Sequence, residues 1–379
     1  MITIGKKMFS DVSGNDVVSI SVTRNTIGLN ENVQQQAMIF GYKALKLGCD
    51  SQNNEATVYS LSDLQQYLID EDTDERQQLI NTVTGWFSQG NRSVKVCDLG
   101  NVTADTINDL DQYCYIAISG YNWENIATQK NILLNTATQQ LNTPDKACYI
   151  VGSLAFDQFN TNTKDKLVGY KSLFTIGNKS LSSNSQMAAG AVGYELSNYS
   201  PSSYNKVNPM TYRYLYSVLP LSDEDKRLNQ QLINDYYTNF LVSPPRNTTN
   251  AKSLLFPGSL ADGNDFTYWY GIDYIRFTLI DTITNLLISA ANNSSNPLYY
   301  NQQGINRIKD AVNNVLANCA AYGIIENNYI VTTIDFPNYV TQNSGDYKAG
   351  IYGGITFEVQ PLKAMKKIKF NMNVSDLIN

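Results

Sequence analysis

Apolar and polar residues alternate with a period of two near both ends of this chain. The alternation occupies residues 16–23, and it returns twice close to the carboxy terminus. A period of two over β-branched and aromatic residues predicts strands with one buried face. The apolar positions of the three strands are Val18, Ile20 and Val22; Ile355, Phe357 and Val359; and Ile368, Phe370, Met372 and Val374.

A second pattern, in the middle of the chain, combines two short apolar runs with a helical segment between them. The runs are residues 113–119 and 147–151, and residues 122–141 carry apolar side chains at helix spacing before Pro144. A strand, a long helix and a second strand predict a parallel pair with a crossover helix. Gly120 stands alone after the first run, so the Gly-rich loop of a nucleotide-phosphate site is missing and nucleotide binding is disfavoured.

Shorter signals complete the predicted elements. Further strands are expected at residues 36–42, 92–99 and 170–176. Helices are expected at residues 62–67, 75–87, 186–196, 222–241, 273–289 and 303–322. The predicted fold class is mixed α/β (α+β): a βαβ-containing core with helices packed on mixed sheets, and extended β-arms at both termini.

The length of 379 residues exceeds the usual size of one hydrophobic core, so several lobes are expected. An amino-terminal arm with an exchanged strand is assigned to residues 1–28, because a polar, Gly-containing stretch precedes its strand. The predicted lobes that follow are residues 29–110, a βαβ-containing lobe at 111–260, and a carboxy-terminal domain at 261–379 that ends in a β-strand arm.

The composition excludes several functional classes. There is no histidine, which removes Ser-His-Asp and Cys-His catalysis and nearly every catalytic zinc site. The net charge of −6 disfavours nucleic acid as a direct partner, and no apolar stretch approaches the roughly 18 residues of a membrane span. Residues 1–10 lack the apolar run of a secretory signal, so we expect a protein that is made and retained in a cytoplasm.

The remaining candidates for site chemistry are weak, and we expect no cofactor and no metal. The five cysteines are scattered in mostly apolar surroundings, which predicts buried thiols: Cys49, Cys97, Cys114, Cys148 and Cys319. The acidic run 70–75 starts like an EF-hand loop, but Glu75 and Asn81 stand where Gly and Glu are required. A solvated loop leading into a helix is therefore expected. Three further carboxylates are too dispersed to indicate a catalytic pair: Asp262, Asp265 and Asp273.

The 26 tyrosines and the terminal strands indicate protein–protein contact, since tyrosine is favoured at interfaces. A terminal strand either folds back on its own domain or adds to the sheet of another subunit by β-augmentation, and the sequence leaves both outcomes open. The closing segment is basic whereas residues 63–75 are acidic, so we expect these two surfaces to meet between subunits. The basic residues are Lys363, Lys366, Lys367 and Lys369.

Several segments, taken in order, resemble phage tail sheath proteins. Residues 265–288, with Asp-Tyr-Ile-Arg at 273–276, are similar to the family's long helix after a Gly/Asp turn. Residues 296–305 resemble its Pro-Tyr-x-x-x-Gly-Ile segment, and residues 320–325 its small-residue and Gly helix end. Residues 355–374 resemble its closing pair of strands. Upstream, three segments follow in the expected order: 113–151, 187–193 and 212–219.

This resemblance, which extends to the sheaths of related contractile injection systems, implies a structural role. Sheath subunits assemble as hexameric rings stacked helically around a tail tube, exchange terminal strands with neighbours, and contract to drive the tube through a cell envelope. The implied partners are other copies of the chain, a tail tube protein, and baseplate and tail terminator proteins. The implied location is a virion tail assembled in the host cytoplasm, and the alternating apolar positions of the terminal strands are the implied exchange residues.

Two other classes stay open at this point. Another virion structural protein, such as a tail tube, baseplate or shell component, would share the polar, Tyr-rich surface but would not need arms at both ends. An enzyme would have to be a histidine-free carboxylate hydrolase, so we do not expect enzymatic activity.

Overall fold

A six-stranded sheet forms the centre of the fold. The computed structural model describes residues 33–46, 55–100, 114–122, 148–155, 172–228, 230, 234–235, 237–244, 252–366 and 368–369. The strands are β1 (Ala37–Gly41), β2 (Glu55–Val58), β3 (Val94–Asp98), β4 (Ile116–Asn122), β5 (Tyr149–Ala155) and β6 (Leu173–Asn178). Their order is β2-β3-β1-β4-β5-β6, and every neighbouring pair is parallel except β2 with β3.

The predicted parallel pair is confirmed as β4 and β5, in which Ile116 lies opposite Tyr149 and Ile118 opposite Val151. Residues 123–141 of the predicted crossover helix lie outside the described residues. Strands β1, β2 and β3 belong to the predicted lobe 29–110, and the other three strands belong to the predicted lobe 111–260. The predicted boundary at residue 110 therefore lies between strands of one sheet.

Apolar side chains on both faces of the sheet are buried, as is usual for parallel strands. Successive residues of a strand point to opposite faces, so Ile39 and Ile118 belong to one apolar cluster and Phe40 and Ala117 to another. The described cysteines are confirmed as buried thiols: Cys97, Cys114, Cys148 and Cys319. Cys49 lies outside the described residues.

Three helices pack on the first of these faces or beside it: α1 (Leu61–Leu64), α2 (Asp74–Phe87) and α3 (Ser183–Leu196). Thr73 caps α2 by accepting a hydrogen bond from Arg76 N at 3.2 Å, so the acidic run does lead into a helix. Helix α3 approaches α2 closely because Gly190 has no side chain; a Cβ there would collide with the carbonyl oxygen of Thr82.

A second sheet corrects one prediction. It contains β7 (Tyr214–Tyr216), β8 (Phe240–Val242) and β9 (Lys252–Phe256) in the antiparallel order β7-β9-β8. The helix predicted at 222–241 is wrong at its end: α4 (Asp223–Leu228) is helical, whereas Phe240 pairs with Phe256 in β8. A three-residue apolar run shows no period of its own, so the pairing with β9 decides its conformation.

The carboxy-terminal part begins with two long helices, α5 (Phe266–Ala291) and α6 (Gln302–Ala321). They are followed by β10 (Ile330–Thr333), α7 (Phe336–Gln342), α8 (Ser344–Ala349) and β11 (Ile355–Glu358). Helix α5 joins two apolar clusters, because Phe266 and Tyr270 belong to the core under the sheet and Ile275 and Ile283 to a cluster with α6. The predicted mixed α/β class is confirmed.

Candidate assembly interface

A strand from another subunit can add only to a sheet edge whose backbone N–H and C=O groups are open. The described sheets therefore have to be compared edge by edge. Strand β2, at one edge of the main sheet, is short, and Glu55, Ala56 and Val58 are buried. Glu55 also lies 3.4 Å from Lys95 Nζ on β3, an ion pair that is costly to rearrange.

The opposite edge of the main sheet, at β6, is covered by Asn239. Asn239 N donates to Thr175 O at 2.9 Å, and Gly177 N donates to Asn239 O at 2.7 Å. The buried Asn239 amide adds bonds to Thr175 O and to Ser259 O, at 3.0 and 2.7 Å. This edge is occupied by the chain itself.

The edge of β7 is closed by side-chain amides. Gln89, just after α2, accepts from Tyr216 N at 3.0 Å and donates to Tyr216 O at 2.9 Å, as a neighbouring strand would. The Asn184 side chain likewise accepts from Leu219 N at 2.7 Å and donates to Leu219 O at 3.0 Å. Because these groups are already paired, an incoming strand would first have to displace them.

Strand β11 lies at the edge of the hairpin sheet β10–β11, and among the described residues no third strand pairs with it. Val331 lies opposite Phe357, so both side chains are on one face. Helix α6 packs against β10, and Val331 joins the α5–α6 cluster. Phe357 on β11 is 39% exposed on that same face. The outer side of β11 therefore has an aromatic side chain that is incompletely covered.

The segment between β10 and β11 is held by aromatic rings. Tyr339 and Tyr352 make an edge contact with centroids 4.7 Å apart, and Tyr300 packs 5.1 Å from Tyr347. Tyr300 OH donates to Ile351 O at 2.6 Å. Burial raises the pKa of Tyr300, Tyr339 and Tyr352, so these hydroxyls stay protonated as donors. The segment between β10 and β11 is thus held by its own rings and by Tyr300, which precedes α6.

Of the predicted exchange residues, four are described by the structure and six are not. Ile355 and Val359 are half-buried, and Val359 packs on the α5–α6 cluster, while Phe357 stays partly exposed. Ile368 is exposed and lies outside any described strand. The others lie outside the described residues: Val18, Ile20, Val22, Phe370, Met372 and Val374.

The predicted basic residues occupy different environments. Lys366 pairs within the chain with Asp265, Nζ to Oδ1 2.5 Å, and Lys363 Nζ lies 5.9 Å from the ring centroid of Tyr268. Lys369 is exposed, and Lys367 lies outside the described residues. On the acidic side, hydrogen bonding and charge attraction from Lys46 lower the pKa of Asp70. Part of both charged surfaces is therefore neutralised within the subunit.

A buried carboxylate fixes α5 to the main sheet. Asp273 Oδ2 accepts from Tyr149 OH at 2.7 Å and from Tyr115 OH at 3.2 Å, and Asp273 Oδ1 lies 3.2 Å from Arg276. Gln34 extends the network by donating to Tyr115 OH at 3.1 Å. The sequence gives no sign of this role for Asp273, because its tyrosine partners are 124 and 158 residues away along the chain.

Two buried cysteines are held in the thiol form. Burial raises the pKa of the Cys114 thiol well above its usual range and that of Cys319 to about 12, so neither is a thiolate near neutral pH. Clusters of acidic and cysteine residues suited to a metal ion are not found among the described residues. Within the same residues, no helix combines the length and apolar character that a membrane span needs.

Comparison with known proteins identifies the architecture. The sequence matches no family model and no curated protein. The structure is similar to a chain of the anti-feeding prophage helical sheath in its contracted state, with a TM-score of 0.56 and 12% identity, covering 94% of this chain and 99% of that one. The resemblance expected from the sequence is thereby confirmed for the fold: this chain has the fold of a contractile sheath subunit.

Proposed function

We propose that this protein is a structural subunit of a contractile sheath, which polymerises as stacked hexameric rings around a tail tube and contracts to drive the tube through a cell envelope. The observation that carries the proposal is a sheath-subunit fold over nearly the whole chain. The edge strand β11, whose Phe357 is 39% exposed, supports it. Its partners are further copies of itself, a tail tube protein, and baseplate and terminator proteins. Its place is a virion tail assembled in the host cytoplasm, and it works without cofactor or turnover.

Strand exchange at β11 supplies the connection between subunits. An added strand would form roughly four main-chain hydrogen bonds, each contributing about 1 kcal/mol net. Its apolar side chains would cover Phe357, and full burial of such a side chain contributes about 1.5–3 kcal/mol. The alternating residues Val18, Ile20 and Val22, or Phe370, Met372 and Val374, have the required period.

Charge contacts and bistable packing complete the proposal. Lys363 and Lys369, exposed on the closing segment, would face the acidic surface at residues 63–75 of a neighbouring subunit, and salt would weaken that attraction. Contraction would exchange one set of contacts between subunits for another that is more stable by a few kcal/mol. Helix α5, buried in both clusters and fixed at Asp273, would let each subunit move as one body.

Electron microscopy of the purified protein and of a Phe357→Lys variant tests this proposal. The wild type should form tubes, and the variant should stay monomeric with near-unchanged thermal unfolding, because a lysine ammonium cannot be buried under an added strand. Tyr204→Lys is the matched control, since Tyr204 is fully exposed elsewhere on the surface. Tubes from the Phe357 variant would reject β11 as the exchange site, and closed shells from the wild type would favour a shell protein instead.

A further inference from the structure

The closing segment is bound to the body of its own chain before it ends. Beyond β11, Gln360 O accepts from Glu326 N at 2.8 Å, and Leu362 N donates to Ile324 O at 3.0 Å. Pro361 and Ile325 form an antiparallel bridge between these two bonds. The segment therefore runs back from the hairpin along the residues that follow α6.

Four residues later the chain meets a polar site at the start of α5. Lys366 Nζ lies 2.5 Å from Asp265 Oδ1 and 2.6 Å from Ser259 Oγ. Asp265 Oδ2 accepts from Ala364 N at 3.2 Å, and Tyr212 OH donates to Lys366 O at 2.8 Å. Asp265 is 9% exposed and Ser259 1%, so this ion pair is shielded from water on the Asp265 side.

The position of Asp265 shows that its carboxylate serves this site and not its helix. Asp265 is the N-cap residue of α5, where an aspartate ordinarily accepts a hydrogen bond from the first turn. Its side chain makes no such bond. Both carboxylate oxygens instead contact the closing segment, one at Lys366 and the other at Ala364.

The segment around this site is otherwise exposed. Leu362, Met365 and Ile368 are 37%, 74% and 61% exposed, although all three are apolar. Lys366 is thus a polar contact to the body of the subunit within an exposed segment. We propose that Lys366 and Asp265, with Ser259 and Tyr212, form an anchor that holds the closing segment against the subunit. The role of the anchor in assembly rests on the proposed function above.

The anchor sets the reach of the arm. If it opens, residues 363–366 are released back to the bond between Leu362 and Ile324, which lengthens the arm by roughly 13 Å. A longer tether samples a larger volume, so the effective concentration of its strand at one neighbouring edge falls. Lys366 and Asp265 are therefore positioning residues for strand exchange. Lys366 forms its ion pair within the subunit, with Asp265, and not with a neighbouring subunit.

Hydrogen exchange on the monomeric full-length protein tests the anchor itself. Lys366→Met keeps the side-chain stem and removes the ammonium, whereas Lys363→Met changes the neighbouring exposed lysine and is the matched control. We expect the Ala364 amide to exchange roughly tenfold faster in the Lys366 variant, as for the loss of a partly screened ion pair, and at the wild-type rate in the control. Unchanged exchange in the Lys366 variant would overturn the anchor.

The pairing and its consequence need two further measurements. In a cycle of Lys366→Met, Asp265→Asn and the double variant, the double variant should exchange no faster than the faster single variant, because the two residues act through one contact. Strictly additive effects would overturn the pairing.

Pelleting should show fewer or irregular polymers for Lys366→Met at unchanged melting temperature, and wild-type polymers from this variant would overturn the positioning role. If the wild type itself never polymerises, the proposed function fails while the exchange data still decide on the anchor.

Discussion

Tyr199 shows how burial at a single residue shapes the chemistry of this chain. It packs against the rings of Phe266 and Tyr270, and its hydroxyl donates to Asn208 O at 2.8 Å while accepting from Arg213 at 3.1 Å. Burial raises the pKa of Tyr199 to about 12, although the nearby Arg213 acts in the opposite direction. The phenol is therefore held neutral by its surroundings.

This shift predicts how stability depends on alkaline pH. In the unfolded chain Tyr199 ionises near pH 10, and in the folded chain near 12, so the folded state binds more protons between these values. Stability from this group is complete below pH 10 and is lost as pH rises through 12, by up to about 2–3 kcal/mol. Denaturant titrations at pH 9 and 11 should show this fall, and a smaller fall in Tyr199→Phe. An equal fall in both proteins would contradict the assignment.

Among the elements, the edge strands β7 and β11 differ in how far their edges are covered by the rest of the chain. Gln89 occupies the hydrogen-bonding groups of Tyr216 on β7, whereas Phe357 on β11 remains incompletely covered. Exposed edges invite pairing with other chains, so a protein that polymerises through one edge has to close the others. Neither feature is visible in the strand pattern, because both depend on what lies beside the strand.

Removal of the Gln89 amide should open β7. We expect Gln89→Ala to lose about 1 kcal/mol of stability, the usual net contribution of such hydrogen bonds, and to aggregate more readily. Gln66→Ala is a suitable control, since Gln66 is an exposed glutamine that bonds Asp63 on α1 and not a strand edge. Chemical denaturation and light scattering would measure both effects. Light scattering equal to that of the Gln66 variant would show that β7 needs no protection.

For the whole molecule, the central expectation is that assembly and folding are separable. The three apolar clusters of the described core are formed by residues from Ala37 onward. The predicted amino-terminal arm lies outside the described residues. Only the arms and the edge they join would then be needed for polymerisation. This division is what a lattice of rigid subunits joined by exchanged strands requires.

Deletion of residues 1–24 tests that separation. The truncated protein should be a soluble, folded monomer with a cooperative thermal transition near that of the wild type, because no described core residue is removed. It should fail to polymerise, since a strand with three apolar side chains and its main-chain hydrogen bonds is lost. Circular dichroism and negative-stain microscopy are the measurements. Tubes from the truncated protein, or its unfolding, would show that the amino-terminal strand is not an intersubunit arm.

The sequence alone determined the elements whose pattern repeats within one segment, and it excluded histidine chemistry. Residues 303–322 carry a helical period, and α6 is found at Gln302–Ala321; the apolar runs of β4 and β5 likewise sufficed to predict a parallel pair. Tertiary structure decided what depends on distant contacts. It turned the end of a predicted helix into β8, and it left Phe357 on β11 partly exposed while Gln89 paired the backbone of Tyr216 on β7. It also gave Lys366 an intrachain role, since Ser259 lies 107 residues away and sequence periodicity reports only near neighbours.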